Sequence, residues 1–286
     1  MKRFLKRYLR SVLPPRLIDW IKHRMEARLC DGADIDVTLE TSAEAVRCTI
    51  DRSWSFLAPP RCQGDLHYHT LPEGRAEMAG IAQLAREGGI LFDIGAHAGI
   101  ISAMFCTARA ENKAYSFEPS PISQERLKEI RILNHLEERM FLQPVAIGET
   151  SAKIEMLIDP GGGYVQTQRF EHSMWDTPQK IEVTVESIPE AALRLGVVPD
   201  CIKLDIEGYE YEAIKGAQSF LSTHKPAILL ELHLNYLEER GRSAKAVVEM
   251  LCACGYSFYT YAGNRLAPRA LYDSPLQGVR VMARGK

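Results

Sequence analysis

From Ile90 onward, short apolar runs alternate with amphipathic stretches at the spacing of βα units. The pattern predicts strands at 90–94, 113–118, 140–147, 200–205 and 226–233, with helices at 98–109, 121–134, 208–222 and 242–254. Runs near 153–158 and 181–185 predict an added hairpin, and two further strands near 256–261 and 278–284 close the chain. Elements in this order define an α/β fold with a doubly wound, mostly parallel, seven-stranded, Rossmann-like sheet. Its ligand belongs at the carboxyl ends of the strands.

The beginning of the chain reads differently. Phe4, Leu5, Tyr8, Leu9, Val12 and Leu13 fall on one helical stripe, with Lys2, Arg3, Lys6, Arg7 and Arg10 on the rest. After Pro14-Pro15, Leu17, Ile18, Ile21 and Met25 suggest a second short helix with Trp20 as an interfacial aromatic. Residues 1–28 are therefore a basic amphipathic helical extension. Residues 29–75, interrupted by Pro59-Pro60, Gly64, Pro72 and Gly74, form a lead-in segment with a short strand near 45–50. His67-Tyr68-His69 within it is expected on a polar strand or loop, as a candidate wall of a substrate pocket. Residues 76–286 are the main domain.

Composition narrows the class. With 286 residues, 46% hydrophobic and 25% charged, the chain is an ordinary globular one, which excludes disordered and fibrous classes. The net charge of −2 provides no overall field for nucleic acid, and none is expected as a partner. The distribution matters more. Residues 1–28 hold nine Lys/Arg against Asp19 and Glu26, a net of +7, whereas the other 258 residues hold 26 basic and 35 acidic side chains, a net of −9. The extension suits docking on an anionic membrane surface, where apolar burial and charge attraction add, and equally suits packing on its own domain or a partner. Seven scattered cysteines, an odd number, point to a reducing compartment, and Cys252-x-Cys254 reads as a pair of buried helix thiols. No apolar run reaches the roughly 18 residues that span a bilayer, and the basic start lacks the apolar core of a secretory signal. The expected location is the cytoplasm, or the cytoplasmic face of a membrane.

Candidate chemistry clusters at strand ends. Leu91-Phe92-Asp93-Ile94-Gly95-Ala96-His97-Ala98-Gly99 runs from the first strand of the main domain straight into a helix. Gly95 supplies the turn, Gly99 permits close helix packing, and the helix start offers backbone N–H groups to a polar ligand. Ala96-His97 occupies the space in which a second glycine would admit a pyrophosphate, and Asp93 adds a negative charge. Both features favour a cofactor with an ammonium and a sulfonium. The next strand ends at Glu118-Pro119, about 20 residues beyond the turn, where a carboxylate grips ribose hydroxyls. In order and spacing these elements favour S-adenosylmethionine over NAD. The densest motif is Asp200-Cys201-Ile202-Lys203-Leu204-Asp205-Ile206-Glu207-Gly208-Tyr209-Glu210. Strand alternation sets Lys203, Asp205 and Glu207 on one side, as an active site or as a self-paired charge row that caps the next helix.

These pieces, with Phe117-Glu118-Pro119, Ala146-Ile147-Gly148, Lys215-Gly216-Ala217 and Pro226-Ala227-Ile228-Leu229-Leu230-Glu231-Leu232-His233, resemble the FkbM-type S-adenosylmethionine-dependent methyltransferases over roughly residues 75–260. The resemblance implies a class I methyltransferase fold that O-methylates sugars in bacterial glycans or hydroxyls of secondary metabolites. It assigns Asp93, Gly95, Ala96, His97, Gly99, Glu118, Pro119 and Ala146 to the cofactor, and it leaves residues 1–28 unmatched. The family usually carries Asn where this chain has His97. Methyl transfer is an in-line displacement, so the protein mainly aligns an acceptor oxygen and takes its proton. Asp205 is the candidate base or orienter, with Glu207, Glu231 and His233 beside it. Asp205 and Glu231 are alternatively ligands of Mg²⁺ or Mn²⁺. His97 and His172 are reserve bases. Asp159 to Pro178, with three glycines and Tyr164, His172 and Trp175, reads as a lid over an acceptor sugar or small molecule. Two other readings stay open: a membrane-docked binding protein without turnover, and a dinucleotide-dependent oxidoreductase.

Overall fold

A computed structural model describes residues 34–158, 179–274 and 278–286. The basic extension at 1–28 and the glycine-rich stretch 159–178 lie outside the described residues.

The described residues open with an antiparallel meander, β1 (Val37–Thr41), β2 (Val46–Ile50) and β3 (Trp54–Ala58). Helices α1 (Gln63–Tyr68) and α2 (Pro72–Glu87) follow, then β4 (Ile90–Ile94), α3 (Ile100–Ala108), β5 (Lys113–Phe117), α4 (Pro121–Leu133) and β6 (Met140–Gln143). Next come β7 (Ala146–Ile147), β8 (Ala152–Ile158), β9 (Gln179–Glu186), α5 (Ile188–Leu195), β10 (Cys201–Leu204) and α6 (Glu210–His224). The last elements are β11 (Ala227–His233), α7 (Leu234–Glu239), α8 (Ala244–Ala253), β12 (Tyr256–Tyr259), β13 (Arg265–Leu266), α9 (Pro268–Tyr272) and β14 (Gly278–Gly285).

The main sheet has the order β13-β12-β14-β11-β10-β4-β5-β6. β6, β5, β4, β10 and β11 pair in parallel, while β14 runs antiparallel to both β11 and β12. The seven expected strands are all present, and the two-residue β13 adds an eighth at the edge. After β4 the chain builds outward through β5 and β6 and later returns to β4's other side as β10. The strand ends diverge at this reversal and leave a crevice. β4 and β10 are buried along nearly their whole length, which explains their continuous rather than alternating apolar character.

Three expectations change. The run 140–147 is two strands, because Pro144 cannot donate to a ladder; β7 leaves the main sheet and pairs with β9 in a separate sheet of order β7-β9-β8. The segment before residue 76 is not a lead-in with one strand. Its meander packs on the main core, where Val46, Ile50 and Phe56 join Leu91, Met104 and Phe105, and α2 crosses the expected boundary. The His67-Tyr68-His69 segment is helical: it ends α1, and His69 caps it. Cys254 is buried as expected, but Cys252 lies on the exposed face of α8.

Polar staples hold the layers together. Asn134 after α4 both accepts from the Leu57 amide and donates to the Leu57 carbonyl at 2.7 Å, docking the meander's third strand. Buried Asn112 donates to the carbonyls of Ala85 and Phe105 and accepts from the Gly89 amide, which fixes the entry to β4. No helix among the described residues is long and apolar enough to cross a membrane.

Candidate active site

The turn after β4 is pinned from two sides. The amides of Gly95 and Ala96 donate to the Phe117 carbonyl at 3.0 and 3.1 Å, and Lys203 Nζ donates to the Gly95 carbonyl at 2.9 Å. Gly95 sits at φ +78°, where a Cβ would lie 1.9 Å from the Asp205 carbonyl oxygen. Only glycine fits between the two strand ends. His97 is also left-handed, at φ +48°. Asn and His are both over-represented in that conformation, so histidine at a position where the family has Asn keeps the turn's backbone geometry.

Glu118 closes this end. It is 5% exposed, and its carboxylate accepts from the His97 amide and the Ser120 amide, each at 2.8 Å. Burial nevertheless outweighs these bonds and pushes its carboxyl up to about 7. Each oxygen keeps a second lone pair for a ligand hydroxyl. Gly95, Ala96, His97, Glu118, Pro119 and Ala146 all line one cavity of about 730 Å³.

Asp93 and Gly99 do not. Asp93 is fully buried one layer beneath the turn, where Oδ2 accepts from Ser102 Oγ at 2.6 Å and Lys203 Nζ lies 4.0 Å from Oδ1. Its role is to anchor Ser102 and balance Lys203, not to touch a cofactor. A Cβ on Gly99 would meet Met140 and Leu127 side chains at 2.6 and 2.8 Å, so this glycine serves helix packing.

At the other end of the cavity, the acids of β10 and β11 converge. The strand stops at Leu204, and Glu207 adopts φ +53°, so strand alternation does not place Glu207. The left-handed turn delivers it instead, with Oε2 3.3 Å from His233 Nε2. Asp205 Oδ2 is 3.0 Å from Lys203 Nζ, and Glu231 Oε2 accepts from Arg280 Nε at 2.7 Å. His233 shares a 2.9 Å hydrogen bond through Nδ1 with Glu210, a fully buried carboxylate that also accepts from the Gly208 amide. Asp205, Glu207, Glu231 and His233 all reach the cavity.

Electrostatics separate these groups. Burial alone raises Asp205, but Lys203 and His233 hold its carboxyl below the usual carboxylate range. Glu231 moves the other way, up to about 7, through burial and repulsion from Asp205. Burial disfavours the charged imidazole of His233, yet the bond to Glu210 and the charges of Glu210, Glu231 and Glu207 win and push it up to about 10.

Two lining residues escape a reading of the motifs, Glu77 from α2 and Arg280 from β14, whereas Tyr68 and His69 of the His67-Tyr68-His69 segment do line the cavity, from the end of α1. His69 is held below the ordinary imidazole range by burial. It is brought inward because α2 crosses α1 closely at Gly74, where a Cβ would stand 2.3 Å from the Tyr68 carbonyl oxygen. The glycine in an otherwise helical pattern was the available signal. The candidate lid residues Tyr164, His172 and Trp175 lie outside the described residues.

A doubly wound sheet with its crevice at the strand reversal, a glycine turn and a strand-end acid on one wall, and a carboxylate cluster on the other has the class I methyltransferase arrangement. The sequence profile described as "Methyltransferase FkbM domain" matches residues 93–258. The chain belongs to this FkbM methyltransferase family, whose cofactor is S-adenosylmethionine. No curated protein sequence matches the chain. Among solved structures, it is similar to methyltransferase FkbM from Methylobacillus flagellatus KT, with 19% identity over 69% of this chain and 44% of that one, and a TM-score of 0.43. It is also similar to precorrin-6y C5,15-methyltransferase from Geobacter metallireducens GS-15, with 12% identity, 74% and 89% coverage and a TM-score of 0.41. A third is an O-methyltransferase family protein from Burkholderia thailandensis, with 10% identity, 78% and 59% coverage and a TM-score of 0.41. The chain spans less than half the length of the first of these.

Proposed function

We propose that this methyltransferase transfers the methyl group of S-adenosylmethionine to a hydroxyl of a sugar or another small polyhydroxylated acceptor. The observation that carries the reading is one continuous cavity. It runs from the Gly95–His97 turn and Glu118, suited to the nucleoside, to Asp205, Glu207, Glu231 and His233, suited to an acceptor hydroxyl. The cofactor's sulfonium is already a strong electrophile, so the protein's task is alignment and proton removal. Lys203 serves both ends: it donates to the Gly95 carbonyl and keeps Asp205 ionised beside the transfer site. Asp205 then orients the acceptor O–H and draws off its proton as the C–O bond forms.

The contrast of +7 over residues 1–28 with −9 over the rest supports a further part of the reading, in which the extension brings the enzyme to the anionic cytoplasmic face of a membrane. The central test is incubation with methyl-labelled S-adenosylmethionine and a cell extract fractionated into glycans, lipids and small molecules. Label should enter a hydroxylated acceptor in an alkali-stable ether. Label in an amine or on carbon would overturn the assignment, and cofactor binding without transfer into any fraction would favour a binding protein.

A further inference from the structure

Glu77 on α2 is a cavity carboxylate that the transfer chemistry leaves unused. It is only 9% exposed, and among the described residues it accepts no hydrogen bond. His69 Nδ1 stands 3.9 Å from its Oε2, beyond bonding distance. His69 is itself 7% exposed, and its Nδ1 is buried without a partner. Burial holds this ring below the ordinary imidazole range, so the two side chains are a neutral imidazole and a carboxylate, not an ion pair. The charge of Glu77 reaches Lys203 and Arg280, but Lys203 is bonded to Asp205 and Arg280 to Glu231.

A buried carboxylate without a donor costs stability, and a buried ring nitrogen without a partner adds to that cost. The pair marks a place where a bound group completes what the fold leaves open. A hydroxyl completes it best. An oxygen about 2.8 Å from both atoms closes the 3.9 Å gap with its two bonds near a right angle, donating to Glu77 and accepting from the ring N–H. An ammonium cannot accept, and an ionised phosphate or carboxylate cannot donate. The position of the pair in the chain agrees. The cofactor turn and the transfer-site acids fall within residues 93–258, the span matched by the family profile, whereas His69 and Glu77 come from the end of α1 and from α2, outside it. A wall supplied from outside the shared core can select the acceptor while the core keeps the transfer chemistry.

We propose that Glu77 and His69 select the acceptor: they bind a second hydroxyl of a neutral sugar and turn away acceptors that present a phosphate or carboxylate to this wall. Glu77 determines the specificity, since it meets a hydroxyl with a charge-assisted bond and an anionic group with like charge. Calling the bound sugar an acceptor rests on the methyl-transfer reading; its binding at this wall does not.

The test uses the full chain in the presence of S-adenosylhomocysteine, the demethylated cofactor, whose own binding is read by calorimetry on the same samples. Saturation-transfer NMR titrations then compare methyl glycosides of glucose, galactose and mannose, their monodeoxy analogues, and the matching uronates and 6-phosphates. At least one neutral glycoside is expected to bind, with its charged counterparts at least tenfold weaker. Glu77→Leu should weaken that glycoside about tenfold or more, as loss of a hydrogen bond to a charged group does, and one deoxy analogue should bind both proteins alike. Glu77→Gln, which keeps the shape and an acceptor oxygen, should lose less binding and narrow the gap to the charged sugars. A wild type that binds a uronate or phosphate as tightly as the neutral sugar, or no neutral glycoside at tens of millimolar, overturns the proposal even if the variants fail to fold. Glycoside binding indifferent to Glu77→Leu also overturns it and leaves only an ordered water for the gap. S-adenosylhomocysteine binding without sugar binding would leave the methyltransferase reading standing and end the acceptor site. The reverse result would do the opposite.

Discussion

Glu118 offers the sharpest test of the cofactor end, because its charge state is set by burial. Its carboxyl is pushed up to about 7, so the free protein passes from mostly neutral to mostly ionised between pH 6 and pH 8. Two ribose hydroxyls donate better to a carboxylate than to a carboxylic acid, so S-adenosylmethionine should prefer the ionised form. For a group with pKa near 7, the apparent Kd scales as 1 + 10^(pKa − pH), about 11 at pH 6 and about 1.1 at pH 8. Affinity should therefore rise about tenfold across that interval, or ~1.4 kcal/mol. The sign follows from the direction of the shift: the binding-competent form is lost as pH falls through the raised value.

Replacing Glu118 by Ala removes the ribose bonds and leaves the His97 and Ser120 amides without their 2.8 Å acceptor. At pH 8 the loss should be about 1.5–3 kcal/mol, or ~10–150-fold in Kd. The variant should also lose most of the pH dependence between 6 and 8, which separates Glu118 from Glu231, the other acid pushed up to about 7 in the same cavity. Calorimetry with S-adenosylmethionine at both pH values reads all four numbers. Unchanged affinity in the variant, or an undiminished tenfold pH effect, would remove Glu118 from the cofactor site.

Three more outcomes are expected. Asp205→Asn should cut transfer into the labelled acceptor fraction about 10²-fold or more while cofactor affinity stays near wild type; a parallel loss of affinity would move Asp205 to the cofactor end. Lys203→Met should cost about 3–5 kcal/mol in chemical denaturation, because fully buried Asp93 and partly buried Asp205 lose their shared cation, and a loss below ~1 kcal/mol would show that Lys203 is not what balances them. Deleting residues 1–28 should abolish co-sedimentation with anionic liposomes, at ~1 kcal/mol per basic group near the surface, while a lower melting temperature with no liposome binding by the full chain would assign the extension to packing.

What the sequence made legible follows from physical scale. β4, its turn and α3 were readable because a buried central strand must be apolar and a glycine must follow where Asp205 comes within 1.9 Å of a Cβ. Glu118 was readable from spacing, since one βα unit fixes the distance between the two strand ends. Asp93 was misread for the same local reason: adjacency to the turn says nothing about depth, and Ser102, nine positions later in the first turn of α3, holds it beneath the surface. Glu207 reached the right place by the wrong route, through a left-handed residue that strand alternation does not describe. The meander and α2 were hidden because their apolar positions face a core contributed by β4 and α3, so no pattern within 37–87 closes on itself. Arg280 is further out of reach, 49 positions from Glu231 and joined to it only by the antiparallel register of β14 on β11.

The charges at the acceptor end obey a further constraint. Glu77, Asp205, Glu207 and Glu231 line this end of the cavity, with Glu210 buried behind His233, against Lys203, Arg280 and His233. On the proposed reading a sulfonium approaches this surplus, and its positive charge disperses as the methyl group leaves. An uncompensated acidic field would hold the cofactor's ground state more strongly than the transition state and so slow the transfer. Lys203 and Arg280 each reduce that field at a carboxylate they pair with, Asp205 after β10 and Glu231 on β11. The remaining surplus then acts mainly on binding: it attracts the charged cofactor and loses its hold on the uncharged sulfur of the product, which favours release after each turnover.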